Sequence, residues 1–171
     1  MANEPVIPIS ESLFAQVAQQ ATISLRRRKN YNLHQASDLV QRFLNVLQPG
    51  TYVRPHRHLH EQSGADFECI VVLKGSIGLL VLNKAGEVLQ HERLEANGEV
   101  RGVQLAEGEF QTLVALEADS VVFEFKQGPY QPLADKDFLT AFPARLNPVI
   151  TLNVCGYKNN RRGSKAKNTI L

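Results

Sequence analysis

Between residues 38 and 127 the chain is a string of short apolar runs broken by turn residues, with no helical stretch between them. The runs fall at 42–47, 52–54, 69–73, 77–82, 88–94, 100–105, 112–116 and 120–126. Lys74-Gly75-Ser76, Asn83-Lys84-Ala85-Gly86, Glu107-Gly108 and Glu117-Ala118-Asp119 supply turns between them. Strands at near-regular spacing, without crossover helices, predict an antiparallel sandwich or barrel rather than a doubly wound parallel sheet. Ahead of them, Ser10 or Ser12 can cap a short helix with Leu13, Phe14, Val17, Ala18 and Ala21 on one face, ending near Thr22. The stretch that follows, up to His34, has no clear period. Beyond Gly128 the pattern loosens, and residues 135–142 read as a single turn or short helix.

A chain of 171 residues suits one domain, expected over residues 1–157 and followed by a polar tail at 158–171. No apolar run is long enough for a membrane-spanning helix, so no membrane partner is expected. The first residues lack the basic start and apolar stretch of a signal peptide, which makes a cytoplasmic location the expectation. Cys69 and Cys155 are too few and too far apart for a disulfide framework. The net charge of +2 is uneven: the residues after Asp137 hold six cations and no acid, which leaves −4 for the rest. Arg26-Arg27-Arg28-Lys29 is a second basic spot. A basic tail can attract phosphate or an acidic surface. No helix-turn-helix, zinc finger or aromatic platform accompanies it, so it reads as a solvated tail and nucleic acid is not an expected partner.

Chemistry concentrates in the histidines. Three of the five, His56, His58 and His60, fall within Pro55-His56-Arg57-His58-Leu59-His60. In an extended backbone, alternate side chains share a face, so His56 and His58 point together. Two such imidazoles can bind one divalent metal, which needs further donors. Glu68, at the entrance of the run 69–73, is the third candidate ligand, and Gln111, just before the run 112–116, the fourth. The same alternation sets Arg54 beside His56, unless Pro55 disturbs the strand, and there it could meet an anionic substrate. Glu61 and His60 are weak candidates for a general base, and no catalytic residue is assigned.

These residues resemble the motifs of the cupin superfamily of small antiparallel barrels. Gly50 precedes His56-Arg57-His58 by five intervening residues, and six separate Glu68 from Gly75. A second motif begins at Gly102 and reaches Gly108-Glu109-Phe110-Gln111. Its usual proline is missing, and Gln111 occupies the usual histidine position. A closer likeness is to the WbuC family of cupin-fold metalloproteins, which often accompanies genes for O-antigen and other surface polysaccharides. It is carried by Ser24-Leu25-Arg26-Arg27-Arg28-Lys29-Asn30-Tyr31-Asn32-Leu33-His34, by residues 40–50, by Pro55-His56-Arg57-His58, and by Gly128-Pro129-Tyr130 with Asp135-Lys136-Asp137-Phe138.

The resemblance implies an all-β fold: a single cupin jelly-roll barrel with a short N-terminal helix and an extended C-terminal tail. It implies a divalent ion (Zn, Fe, Ni or Mn) on His56, His58, Glu68 and Gln111, and a homodimer. If the N-terminal segment folds over the barrel mouth, Arg26, Arg28, Asn30 and His34 would line a polar pocket, with Tyr130 and Lys136 approaching from the other side. The expected function is a metal-binding cupin acting on a small carbohydrate-related or acidic metabolite, in a surface-polysaccharide context. The alternative is a non-catalytic cupin that binds a small sugar or nucleotide.

Overall fold

A computed structural model describes residues 6–59, 67–134 and 137–144. The tail at 158–171, Cys155, His60, Glu61 and Lys136 lie outside the described residues. The chain opens with helix α1 (Glu11–Ile23), capped by the Ser10 hydroxyl, which accepts from the Leu13 backbone N–H at 3.3 Å. Eight strands follow: β1 (Arg28–Asn32), β2 (Val40–Leu47), β3 (Glu68–Lys74), β4 (Ser76–Leu82), β5 (Val88–Glu95), β6 (Gly102–Leu105), β7 (Phe110–Ala115) and β8 (Ser120–Gln127). They form two antiparallel sheets, ordered β1-β2-β8-β3-β6 and β5-β4-β7. The expected all-β jelly roll is the fold observed. Two local expectations differ. The patternless basic stretch contains β1, a largely exposed edge strand on β2. The run at 52–54 is not a strand; its neighbour His56 instead makes isolated bridges to Gln111 and Phe138.

The chain turns from the first sheet to the second at Gly75, whose φ of +70° favours glycine. A Cβ there would stand 2.6 Å from the Ser120 hydroxyl, so the corner also needs the missing side chain. Leu47, Ile70, Val72, Ile77, Leu79 and Leu113 belong to the apolar core between the sheets. A second core joins Phe14, Val17, Ala18 and Ala21 of α1 to Leu44, Val46 and Val121 on the outer face of the five-stranded sheet. Both faces of β2 and β8 are therefore covered. On the open side, a groove of about 400 Å³ runs between β5 and β6, floored by Leu79, Val81, Val103 and Leu105.

The helix adheres by its apolar stripe, so removing one large ring should loosen the domain. Phe14→Ala is expected to lower unfolding free energy by about 3 kcal/mol, the usual effect of truncating a buried aromatic. Urea denaturation followed by circular dichroism would measure it.

Candidate functional site

The covering helix decides what the barrel interior contains. Along β8, Val121, Phe123 and Phe125 alternate with Val122, Glu124 and Lys126. Val121 is buried beneath α1 and Phe123 packs against the same cluster, so the charged alternates turn inward. Register places Lys126 directly opposite Glu68, and Glu124 opposite Phe43 and Ile70. On β2, Asn45 is buried on this same side. The result is a polar cluster at one end of an otherwise apolar barrel, bounded by the extended segment that carries His56 and His58.

His56 exchanges both backbone hydrogen bonds with Gln111, at 3.1 and 2.8 Å. Its Nδ1–H donates to the Arg54 carbonyl at 2.9 Å, leaving Nε2 as the acceptor. Burial lowers the His56 pKa to about 4, so the ring is neutral at physiological pH. The His58 ring stands edge-on, 5.0 Å away between centroids. Its Nε2 accepts from the Lys126 ammonium at 3.1 Å and lies 3.9 Å from Glu68 Oε1. The ammonium also sits 5.4 Å from the centre of the Phe43 ring.

Two buried carboxyls each hold an amide. Glu68 Oε2 accepts from Gln111 Nε2 at 2.8 Å, and Glu124 Oε1 accepts from Asn45 Nδ2 at 3.0 Å. In both pairs the amide turns its NH₂ towards the carboxyl and its oxygen away. Gln111 Oε1 and Asn45 Oδ1 are buried and meet no hydrogen-bond partner among the described residues. Burial pushes the Glu68 pKa up to about 7, helped by Glu124 and opposed by Lys126 and by the amide bond. Burial also raises that of Glu124, against Lys126, Asn45 and Arg28. Arg28, lowered to about 10 chiefly by burial, remains a cation and donates to the Tyr52 carbonyl. A small hollow of about 20 Å³ lies beside His58, Glu68 and the β6–β7 turn.

Of the residues singled out in the sequence, the structure brings together His56, His58, Glu68, Gln111 and Arg28. Asn30, two residues along β1 from Arg28, is exposed and paired with Asn45. Arg54 points elsewhere: Nε donates to the Phe142 carbonyl at 3.0 Å, and the guanidinium stacks 4.8 Å over Phe138. Its guanidinium fastens the segment 137–144 through the carbonyls of Leu139 and Phe142. Arg26 is exposed, and His34 Nδ1 accepts from the Arg42 backbone N–H at 3.0 Å. Tyr130 anchors its backbone N–H on the Ala36 carbonyl at 2.8 Å and leaves its ring exposed. The site residues that sequence reasoning missed are Lys126, Glu124 and Asn45. The available signal was Glu124 and Lys126 on one face of a strand whose other face is entirely apolar.

Residues 9–94 match the family model described as Domain of unknown function (DUF6016). The chain belongs to this DUF6016 family. No curated protein matches it. Among solved structures, this DUF6016 chain is similar to CapF bound to the inhibitor 3-isopropenyl-tropolone, with a TM-score of 0.52 at 15% identity over 64% of the chain. It is also similar to oxalate oxidase in complex with the substrate analogue glycolate, with a TM-score of 0.51 at 13% identity over 65% of the chain. A further likeness is to the Cupin_2 domain of an XRE-family transcriptional regulator from Enterobacter cloacae, with a TM-score of 0.46 at 16% identity, covering 60% of this chain and 98% of that one. The match spans only 30% of CapF and 56% of oxalate oxidase. At these identities the likeness shows the fold alone, and the fold of the DUF6016 chain is a cupin-type jelly roll.

A divalent ion in such a barrel needs three or four donors aimed at one point. Among the described residues, no group of three or more His, Cys, Asp and Glu side chains converges in that way. Lys126 already engages the His58 nitrogen that an ion would need. As placed, these residues do not fit a bound divalent ion.

The raised Glu68 pKa has a stability consequence. Between the ordinary value of 4.5 and about 7, the folded chain retains a proton that the unfolded chain releases, so this group makes stability fall as pH rises. His56 acts oppositely between about 4 and 6.5, since its folded state resists protonation. Glu68→Gln removes the first effect and keeps the second. The melting temperature of the variant relative to the native chain should therefore climb by several degrees between pH 5 and pH 8, at about 2–4 °C per kcal/mol. Thermal melts across that range would check it.

Proposed function

We propose that this protein is a cupin that binds a small, acidic, carbohydrate-related metabolite at the polar end of its barrel. The observation that carries the reading is Lys126, a half-buried ammonium set opposite Glu68 and against His58 at the polar end of the barrel. Glu68 and Glu124 are both held towards their neutral forms, and Arg28 remains a cation beside them. An incoming carboxylate or phosphate would restore the balance and take a charge-assisted hydrogen bond from either cation. The unpartnered oxygens of Gln111 and Asn45 call for donors of the kind that sugar hydroxyls supply. An acid that also bears hydroxyls answers both demands.

The fold is compatible with such a guest, since the oxalate oxidase neighbour is described with glycolate, a small hydroxy acid. The resemblance of residues 24–34 and 40–50 to the WbuC family supports placing the metabolite among building blocks of surface polysaccharide, and a homodimer as the working form. The present cluster supports recognition and proton exchange; no residue among those described stands out as a nucleophile.

Titration calorimetry with gluconate, glucuronate and glycolate, against glucose as the neutral control, tests this reading. The acids should bind and glucose should not. Lys126→Met should weaken acid binding by about 10–100-fold, the loss of one hydrogen bond from a charged group. Equal affinity for glucose and glucuronate, or an unchanged affinity in Lys126→Met, would overturn it.

A further inference from the structure

We infer that Lys126 stands in for a divalent ion in this barrel: the site works with a tethered ammonium at the position where its histidines and glutamate would otherwise gather metal. Lys126 and Glu68 are register partners on adjacent strands, so the backbone itself brings the ammonium to the carboxyl. The ammonium reaches His58 Nε2 at 3.1 Å and donates to it, which occupies the lone pair that a metal would need. The Phe43 ring, 5.4 Å away, gives the cation an aromatic wall on one side.

Gln111 completes the exchange from the opposite sheet. Its NH₂ takes up Glu68 Oε2 at 2.8 Å, so this carboxylate oxygen is committed to a neutral donor. The lone pair of a neutral amide nitrogen is delocalised into its carbonyl and is not available to an ion, and the amide oxygen is turned away from Glu68. Arg28 adds a second positive charge near His56 and Glu124. A doubly charged ion entering here would meet two cations, one committed carboxylate oxygen and one committed imidazole. The ammonium delivered by the chain takes up the His58 nitrogen and stands opposite Glu68 without importing anything.

The inference concerns the same cluster as the proposed function but does not depend on which metabolite is bound. The intact protein would be incubated with excess Zn(II), Mn(II), Ni(II) and Fe(II) separately, dialysed against metal-free buffer, and assayed for bound ion by mass spectrometry. The native chain is expected to retain far less than one ion per chain. The variant Lys126→Met with Gln111→His, which removes the ammonium and supplies a third imidazole, is expected to retain one and to give a tetrahedral Co(II) absorption band. Folding of the variant would be checked by its far-ultraviolet circular dichroism. Should it not fold, Lys126→Met alone should still raise retention above the native level.

One ion held stoichiometrically by the native chain, or retention unaltered in a folded Lys126→Met variant, would overturn the inference. A native chain that holds metal and still prefers glucuronate to glucose would refute this inference and leave the proposed function standing. A metal-free native chain that binds no acid would do the reverse.

Discussion

Everything distinctive in this molecule follows from the packing of α1 on the outer face of the five-stranded sheet. A jelly-roll sheet ordinarily keeps one face in water, and its charged alternates go there. Here Phe14, Val17, Ala18 and Ala21 claim the outer face of β2 and β8 for a second apolar core. The alternates of those strands then have only the barrel interior to occupy. Asn45, Glu124 and Lys126 are inside because a helix, not solvent, lies on the other side.

Burying such groups is unfavourable unless they satisfy one another. The cluster meets that condition largely through pairing: carboxyl to amide twice, and ammonium to imidazole once. What is left over is specific: two amide oxygens. The recognition chemistry we propose for the site is the remainder of its own internal hydrogen bonding. The raised pKa of Glu68 belongs to the same balance, since its burial outweighs the favourable field of Lys126.

Much of this architecture is legible in the sequence. Ser10 or Ser12 ahead of Leu13, Phe14, Val17 and Ala18 predicts α1, whose cap is Ser10 and whose end falls one residue past Thr22, because cap and stripe are local signals. Gly75 between two apolar runs marks the β3–β4 corner for the same reason. The pair His56 and His58, and the strand entrance at Glu68, also follow from spacing. β1 was not legible: Arg-Lys-Asn-Tyr-Asn carries no alternation, and it is a strand only because β2 offers it a free edge. Lys126 and Glu124 were not legible either. Their direction depends on what covers the opposite face, a fact about the packing of residues a hundred positions away. Arg54 illustrates the converse: the backbone carbonyls of Leu139 and Phe142, far along the chain, take its guanidinium.

The Gly75 corner and the slot between β5 and β6 together give the barrel a mechanical polarity. One flank is stitched by a turn so tight that a hydroxyl fills the space where a methyl would stand. The other flank leaves two strand margins facing each other across about 400 Å³ of open volume. A guest of any bulk therefore has its room between the β5 and β6 edges, whereas the Gly75 corner has none to give.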